Sequence, residues 1–96
     1  MHAASDESFI ARAYLALSSA PKGEHGERAI SLVRIRNYEI RMIETSQPGS
    51  INPPSTFWIE LFDHNLRSTV DSCRCETVED AADAYEALVS QANEQT

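Results

Sequence analysis

Lysine is almost absent from this chain, which has only Lys22 among its 96 residues and a formal net charge of −7. Surfaces that bind a nucleic-acid backbone draw their free energy from clustered lysine and arginine, so this balance argues against a phosphate-wrapping protein. Residues 76–96 hold six acids and no base. One short segment nevertheless contains Arg28, Arg34, Arg36 and Arg41. A local basic patch is therefore compatible with an acidic chain.

Long apolar runs are also missing. No stretch approaches the 18 or more apolar residues that a membrane-spanning helix needs, and the N-terminal MHAASDESF lacks the apolar core of a signal peptide. The length suits one domain, and 42% hydrophobic with 24% charged residues is ordinary for a globular protein. We therefore expect a single small cytoplasmic domain with no membrane partner.

The sequence lacks the short motifs of common catalytic and nucleotide-binding sites, such as G-x-G-x-x-G, the P-loop, H-E-x-x-H and G-x-S-x-G. Cys73 and Cys75 are too close for an unstrained disulfide, and reduced thiols fit a cytosolic protein. Their C-x-C spacing, with His2, His25 and His64 scattered along the chain, does not match the paired ligand elements of zinc sites. We therefore expect no metal, no cofactor and no catalytic residue, and hence not an enzyme.

Two segments show the 3.6-residue period of a half-buried helix. In the C-terminal segment, Thr77 to Ala92, the apolar stripe consists of Val78, Ala81, Ala82, Tyr85, Leu88, Val89 and Ala92. Thr77 and Asp80 resemble a capping box at its start. Residues 5–19 predict a first helix with Ser5 as a candidate N-cap. Its apolar face is formed by Phe9, Ile10, Ala13, Tyr14 and Leu17.

Residues 30–44 alternate in polarity and are rich in β-branched side chains, which predicts one long strand. The apolar positions change phase near Arg36 and Asn37, which predicts a β-bulge there. The alternative is a tight turn at Arg36 and Asn37 between two short strands, although the favoured Asn-Gly or Asp-Gly pair is missing.

Residues 56–62 and 66–75 predict a hairpin across a turn at residues 63–65. With a two-residue turn, Ile59 pairs with Val70. With a three-residue turn the pairing slips by one residue and the two faces of the hairpin exchange places.

The register decides which face of the first hairpin strand is buried. The two-residue turn places Phe57, Ile59 and Leu61 against the helices and leaves Trp58 and Phe62 on the opposite face. We favour this arrangement because the first three side chains are uniformly apolar, whereas an acid separates the two aromatic residues.

The resulting order is helix, three strands, helix (α-β-β-β-α), an α+β two-layer sandwich with an antiparallel meander. Residues 1–4 are expected to be a disordered tail and residues 20–28 a linker. Residues 45–55, with three prolines and a glycine, are expected to form a long loop.

This order resembles the layout of double-stranded RNA-binding domains. Their alanine-rich last helix is matched here by Ala81, Ala82, Ala84 and Ala87. That family clamps phosphates with a basic cluster at the start of this helix. The corresponding residues here are Glu76, Glu79, Asp80 and Asp83. The resemblance therefore implies a fold and argues against RNA binding.

A short chain with two helices can leave one sheet face uncovered, and we expect Trp58 and Phe62 there. An exposed aromatic patch marks a protein-protein or self-association site more often than a catalytic one. The leading hypothesis is a non-enzymatic interaction or regulatory domain, dimeric through its sheet or first helix, with Trp58, Phe62, Arg34 and Arg36 as its interaction surface. The alternative is a nucleic-acid-associated module using the arginine-rich strand, whose arginines could equally pair with acids such as Glu60. A third hypothesis is an enzyme with one of the two cysteines as nucleophile.

Overall fold

The chain forms two helices packed on a four-stranded antiparallel sheet. This computed structural model describes residues 2–24, 26–45 and 57–94. The elements in chain order are α1 (His2–Ser18), β1 (Glu27–Ile35), β2 (Tyr38–Thr45), β3 (Phe57–Asp63), β4 (Ser68–Cys75) and α2 (Val78–Glu94). The strands lie in the order β1-β2-β3-β4, a meander. The predicted α+β class is confirmed, with four strands rather than three, so the fold also departs from the three-stranded layout of double-stranded RNA-binding domains.

The prediction of one long strand over residues 30–44 is wrong. Ile35 pairs directly with Tyr38, so Arg36 and Asn37 form a two-residue turn between β1 and β2, as the alternative had it. Arg36 adopts a left-handed backbone with φ of 57°. The β-bulge lies within β1, before this first turn rather than at it.

Long-range hydrogen bonds hold the first turn in place. Asn37 Nδ2 donates to Asp63 Oδ1 at 2.9 Å, and the His64 N–H donates to the Asn37 carbonyl at 2.8 Å. Asp63 Oδ1 also accepts two N–H groups of the turn that follows it. The second hairpin thus supplies the constraint that an Asn-Gly pair would supply locally.

The second turn, between β3 and β4, is longer than predicted. It spans residues 64–67, so that β4 begins at Ser68, and a register shift between Leu61 and Phe62 moves the pairing by one further residue. Ile59 therefore pairs with Cys73 rather than with Val70. Both predicted registers are therefore wrong. The longer turn has its cause in Asp63, because an aspartate that accepts the N–H groups two and three residues ahead closes an Asx-type turn of its own.

The predicted faces of β3 are confirmed despite the register error. Phe57, Ile59 and Leu61 are buried on the helix side, and Trp58 and Phe62 lie on the opposite side. A change in turn length alters which residue of β4 pairs with β3. It does not alter the alternation within β3 itself, and the helices pack on every second residue of this strand.

Helix α2 covers the sheet as its apolar stripe predicted. Its buried side chains are Ala81, Ala82, Ala84, Leu88 and Ala92. Val78, Tyr85 and Val89 are partly buried against the same core. The Thr77 hydroxyl oxygen accepts the Asp80 N–H at 3.0 Å, which confirms the N-terminal cap.

Helix α1 packs on the same side of the sheet. It buries Ile10, Ala13 and Leu17 in the common core, as predicted. The helix begins at His2 rather than at Ser5, so residues 2–4, expected to form a disordered tail, are helical. Two alanines in this stretch favour the extension, since alanine is the strongest helix former.

The predicted linker over residues 20–28 is shorter than expected. Glu27 and Arg28 belong to β1, and Arg28 Nε donates to the Ala20 carbonyl at 3.0 Å, which ties the two ends of the segment together. Of the predicted loop over residues 45–55, Thr45 ends β2 and the rest lies outside the described residues.

Replacing Arg36 by glycine should stabilise the fold by about 0.5 to 1 kcal/mol. A left-handed φ costs an L-residue about 1–2 kcal/mol, and glycine avoids this cost while it adds backbone entropy to the unfolded chain. The matched control is Arg34→Gly, two residues earlier in extended β1, which should destabilise by about 1 kcal/mol. Urea unfolding followed by fluorescence of Trp58, the single tryptophan, measures both. Equal destabilisation by both variants would contradict the assignment of strain to Arg36.

Candidate interaction surface

Because α1 and α2 pack on one side of the sheet, no element of the described residues covers its other side. The strand pairing identifies the side chains that point there, and we call this surface the open face. It consists of Glu27, Ala29, Ser31, Arg34, Glu39, Arg41, Ile43, Trp58, Glu60, Phe62, Thr69, Ser72 and Arg74. The buried cluster lies on the opposite side of the same strands.

An ion pair occupies the centre of the open face. Arg41 Nε donates to Glu60 Oε1 at 2.8 Å, and a second guanidinium nitrogen bonds the same oxygen. The Thr69 hydroxyl donates to the other Glu60 oxygen at 3.3 Å. The guanidinium carbon also lies 4.3 Å from the centre of the Phe62 ring, in cation–π geometry. The expected cross-strand pairing with Glu60 is confirmed for Arg41, whose charge is satisfied within the face.

A second polar cluster lies beside Phe62. His64 Nε2 is 2.8 Å from Glu39 Oε1, and the His64 ring meets the Phe62 ring edge-on at 4.9 Å between centroids. The hydrogen bond from Ser31, together with His64 and Arg41, holds the pKa of Glu39 below its ordinary value even though partial burial opposes this. Glu39 is therefore ionised at neutral pH, and its charge, like that of Glu60, is used inside the face.

The apolar part of the open face lies at its other end. Trp58 is flanked by Ile43 on one side and by Arg74 on the other. The sequence predicts an exposed aromatic patch, and Trp58 and Phe62 are both half-buried. The reason is that β3 is a central strand, so neighbouring strands cover the flanks of both rings and leave their outer surfaces open.

The two predicted arginines occupy the margin of this surface. Arg34 is exposed on edge strand β1, and its Nε donates to the Arg36 carbonyl at 2.9 Å. Arg36 is exposed in the first turn, beyond the open face. Three of the four predicted residues, Trp58, Phe62 and Arg34, therefore share one surface. The outward position of Ile43 is not predicted from the sequence. Ile43 and the neighbouring Met42 are both apolar, so the sequence does not indicate which of the two faces outward.

Charge is distributed unevenly between the two layers. The open face carries three arginines and three glutamates and is formally neutral. Helix α2, in contrast, carries five acids and no base. The excess negative charge of the chain therefore lies outside the open face, and repulsion between two copies is weakest where open faces meet.

The two cysteines lie in surroundings that suppress thiol reactivity. Both are free, and Cys75 is only 1% exposed. Burial, assisted by nearby negative charge, raises the pKa of Cys75 to about 11. Burial and Asp71 raise the pKa of Cys73 as well. A cysteine nucleophile needs the opposite shift, so this pair does not have the setting of an activated thiol.

A groove of about 410 Å³ lies between α1 and α2. It is lined by Asp6, Tyr85, Glu86, Val89 and Ser90. Burial, together with the charge of Asp6, raises the pKa of Tyr85, so this phenol is protonated at neutral pH. Among the described lining residues two are acids and none is a base, and these residues do not pair a general acid with a general base.

Comparisons with protein-family models, with curated proteins and with solved structures find no significant match to this chain. Within the described ranges, neither helix has the length and apolar character needed to cross a membrane. The open face is thus the feature from which a function has to be inferred.

Alkylation of the thiols should be slow at pH 7.5. A pKa of about 11 leaves Cys75 with roughly a hundredfold less thiolate than an ordinary exposed cysteine, and burial blocks the reagent as well. Iodoacetamide labelling followed by mass spectrometry should find Cys75 slower than Cys73, and both slower than glutathione. Rapid labelling of the native protein at either thiol would revive the cysteine-enzyme hypothesis.

Proposed function

We propose that this chain is a small, non-enzymatic interaction domain that self-associates through the open face of its sheet. The observation that carries the proposal is the placement of both helices on one side, which leaves Trp58 and Ile43 beside a satisfied polar network on the other. A reducing, cytoplasmic environment is part of the proposal, because it keeps free thiols such as Cys73 and Cys75 reduced.

The internal pairing of charges makes the open face suitable for burial. An unpaired charge costs several kcal/mol when it is removed from water, but a charge that is already hydrogen-bonded costs less. Arg41 and Glu60 are bonded to each other, and Glu39 is bonded to His64. The centre of the face can therefore be covered without stranding these groups.

A second copy of the chain is the occupant that the charges favour. Two neutral open faces meet without repulsion across the contact, whereas any contact through α2 would bring acidic surfaces together. A two-fold axis also lets the Trp58 and Ile43 end of one copy lie on the polar end of the other, where the Phe62 and Arg41 stack offers an aromatic surface. We therefore favour a homodimer through the open face over a contact through α2.

The size of the open face predicts a weak dimer. Four strands at about 4.8 Å and seven residues at about 3.4 Å give a footprint of about 450 Å² for each copy. Both copies together then contribute about 900 Å², below the 1,200–2,000 Å² of standard stable interfaces. Self-association should therefore depend on protein concentration in the micromolar range and above, as in a reversible regulatory contact.

Nucleic-acid binding through the arginine-rich strand is the weaker alternative. Of the arginines in β1 and β2, Arg41 is bonded to Glu60 and Arg28 is paired with Glu44 at 3.5 Å. Few guanidinium groups remain for phosphates, and the acidic chain opposes them.

Trp58→Ala should lower the average mass at high micromolar concentration to that of the monomer. Truncating an aromatic anchor of an interface typically costs 2 kcal/mol or more, about thirtyfold in the dissociation constant. Sedimentation equilibrium at 0.15 M salt measures this change.

The matched control is Leu15→Ala, on the outer side of α1, where Leu15 is 70% exposed. This variant should associate as the wild type does. A monomeric wild type throughout the concentration range would refute self-association, and loss of association in Leu15→Ala alone would move the interface to α1.

A further inference from the structure

A second surface lies at the end of the sheet where the two turns meet. Two hydrogen bonds join the first turn (Arg36 and Asn37) to the start of the second turn (residues 64–67). The Asn37 side chain donates to the Asp63 carboxylate, and the His64 N–H donates to the Asn37 carbonyl. Residues that are 30 positions apart in the sequence thereby share one corner of the molecule. We call this surface the arginine tip and define it as Arg34, Arg36, Leu66 and Arg67.

All four side chains of the arginine tip are exposed, and Leu66 is 70% exposed. Arg36 and Arg67 make no ion pair with any described side chain, and within the same part of the chain the only bond of the Arg34 guanidinium is to a backbone carbonyl. The three arginines thus retain free donors beside an apolar side chain, on a chain that is acidic elsewhere.

The neighbouring carboxylates do not neutralise these arginines. Asp63 accepts hydrogen bonds from Asn37 and from the second turn, and Glu39 is bonded to His64. Burial would raise the pKa of Asp63, but the Asn37 and backbone hydrogen bonds outweigh it and hold this pKa below its ordinary value. The local acids are therefore engaged in holding the turns together.

Backbone conformation singles out the same two residues. Among the described residues, Arg36 (φ 57°) and Arg67 (φ 56°) are the only non-glycine residues with positive φ. Glycine or asparagine would fit each position with less strain. Placing an arginine at a strained position in both turns retains a guanidinium at each tip, and such strain is commonly found at binding surfaces.

The spacing of the turns limits what can bridge them. The first turn joins β1 to β2 and the second joins β3 to β4, so their centres are two strand spacings apart, about 10 Å. A peptide in the extended polyproline II conformation covers this distance in about three residues, and because it has three residues per turn its side chains three positions apart point in the same direction. Two acidic side chains three positions apart could each reach one turn, with an apolar side chain between them for Leu66.

We propose that the arginine tip binds an extended acidic segment of a partner protein, with carboxylates about three residues apart flanking an apolar residue. Arg36 and Arg67 donate to the carboxylates, Arg34 supports them from the edge of the sheet, and Leu66 contacts the apolar residue. A nucleic-acid backbone is a poorer fit, because three arginines give few phosphate contacts and an exposed leucine contributes nothing to phosphate binding.

The probe is a fluorescein-labelled peptide, Gly-Glu-Leu-Ser-Glu-Gly, compared with the same peptide carrying glutamine for both glutamates. Fluorescence anisotropy at 50 mM salt should detect the acidic peptide and not its glutamine control. The double variant Arg36→Gln with Arg67→Gln should weaken binding by about tenfold or more, the loss expected for two charge-assisted contacts. Leu66→Ser should weaken it by a smaller factor.

The matched control removes the same charge elsewhere, with Arg12→Gln and Lys22→Gln, both exposed and outside the turns and the open face. Its affinity should stay within about twofold of the wild type, since remote charges contribute little at this distance. No binding of the acidic peptide, or equal losses in both double variants, would overturn the proposal. Tighter binding of a single-stranded oligothymidylate that ignores Leu66→Ser would also overturn it in favour of a phosphate site. None of these outcomes bears on self-association, which the mass measurement tests separately.

Discussion

The rest of this structure depends on one constraint. The two helices of the described residues cover only one of the two faces of the sheet. In a chain of 96 residues one well-filled core is attainable and two are not. Side chains of both helices, such as Ile10, Leu17 and Leu88, are therefore buried against the same strands. Dividing the helices between the faces would leave each core with one helix and poorly covered strands. That no described residue covers the open face is a consequence of building one good core.

The side chains of the bare face are consistent with this origin. Its central acids, Glu60 and Glu39, are bonded to Arg41 and His64, and its aromatic rings are sheltered by neighbouring strands, so the centre of the face is stable in water. It nevertheless keeps an apolar end at Trp58 and Ile43 and no net charge. The negative charge is concentrated instead on α2, whose outer side needs to remain hydrated. The two turns form a separate surface. The hydrogen bond between Asn37 and Asp63 holds together the corner of the sheet that carries the arginine tip.

Features encoded within a few consecutive residues could be predicted from the sequence. The stripe of α2 and its Thr77 cap, the buried face of α1 and the alternation of β3 all depend on local periodicity, and they are confirmed. The first turn was misread because its partner Asp63 is 26 residues away from Asn37. The predicted register of β4 is wrong because an aspartate side chain lengthens the second turn and because the pairing shifts by one residue between Leu61 and Phe62. The position of Trp58 and Phe62 on one face was predictable, whereas the neutrality of that face depends on the register and was not.

We propose that the open face is covered when two copies meet. The single tryptophan lies on that face. Acrylamide quenching of Trp58 fluorescence, measured from low micromolar to near-millimolar protein, tests this most directly. If two open faces meet, the quenching constant falls as the protein concentration rises, in parallel with the increase in average mass. A quenching constant that stays the same while the average mass increases would place the contact outside the open face and contradict self-association through this surface.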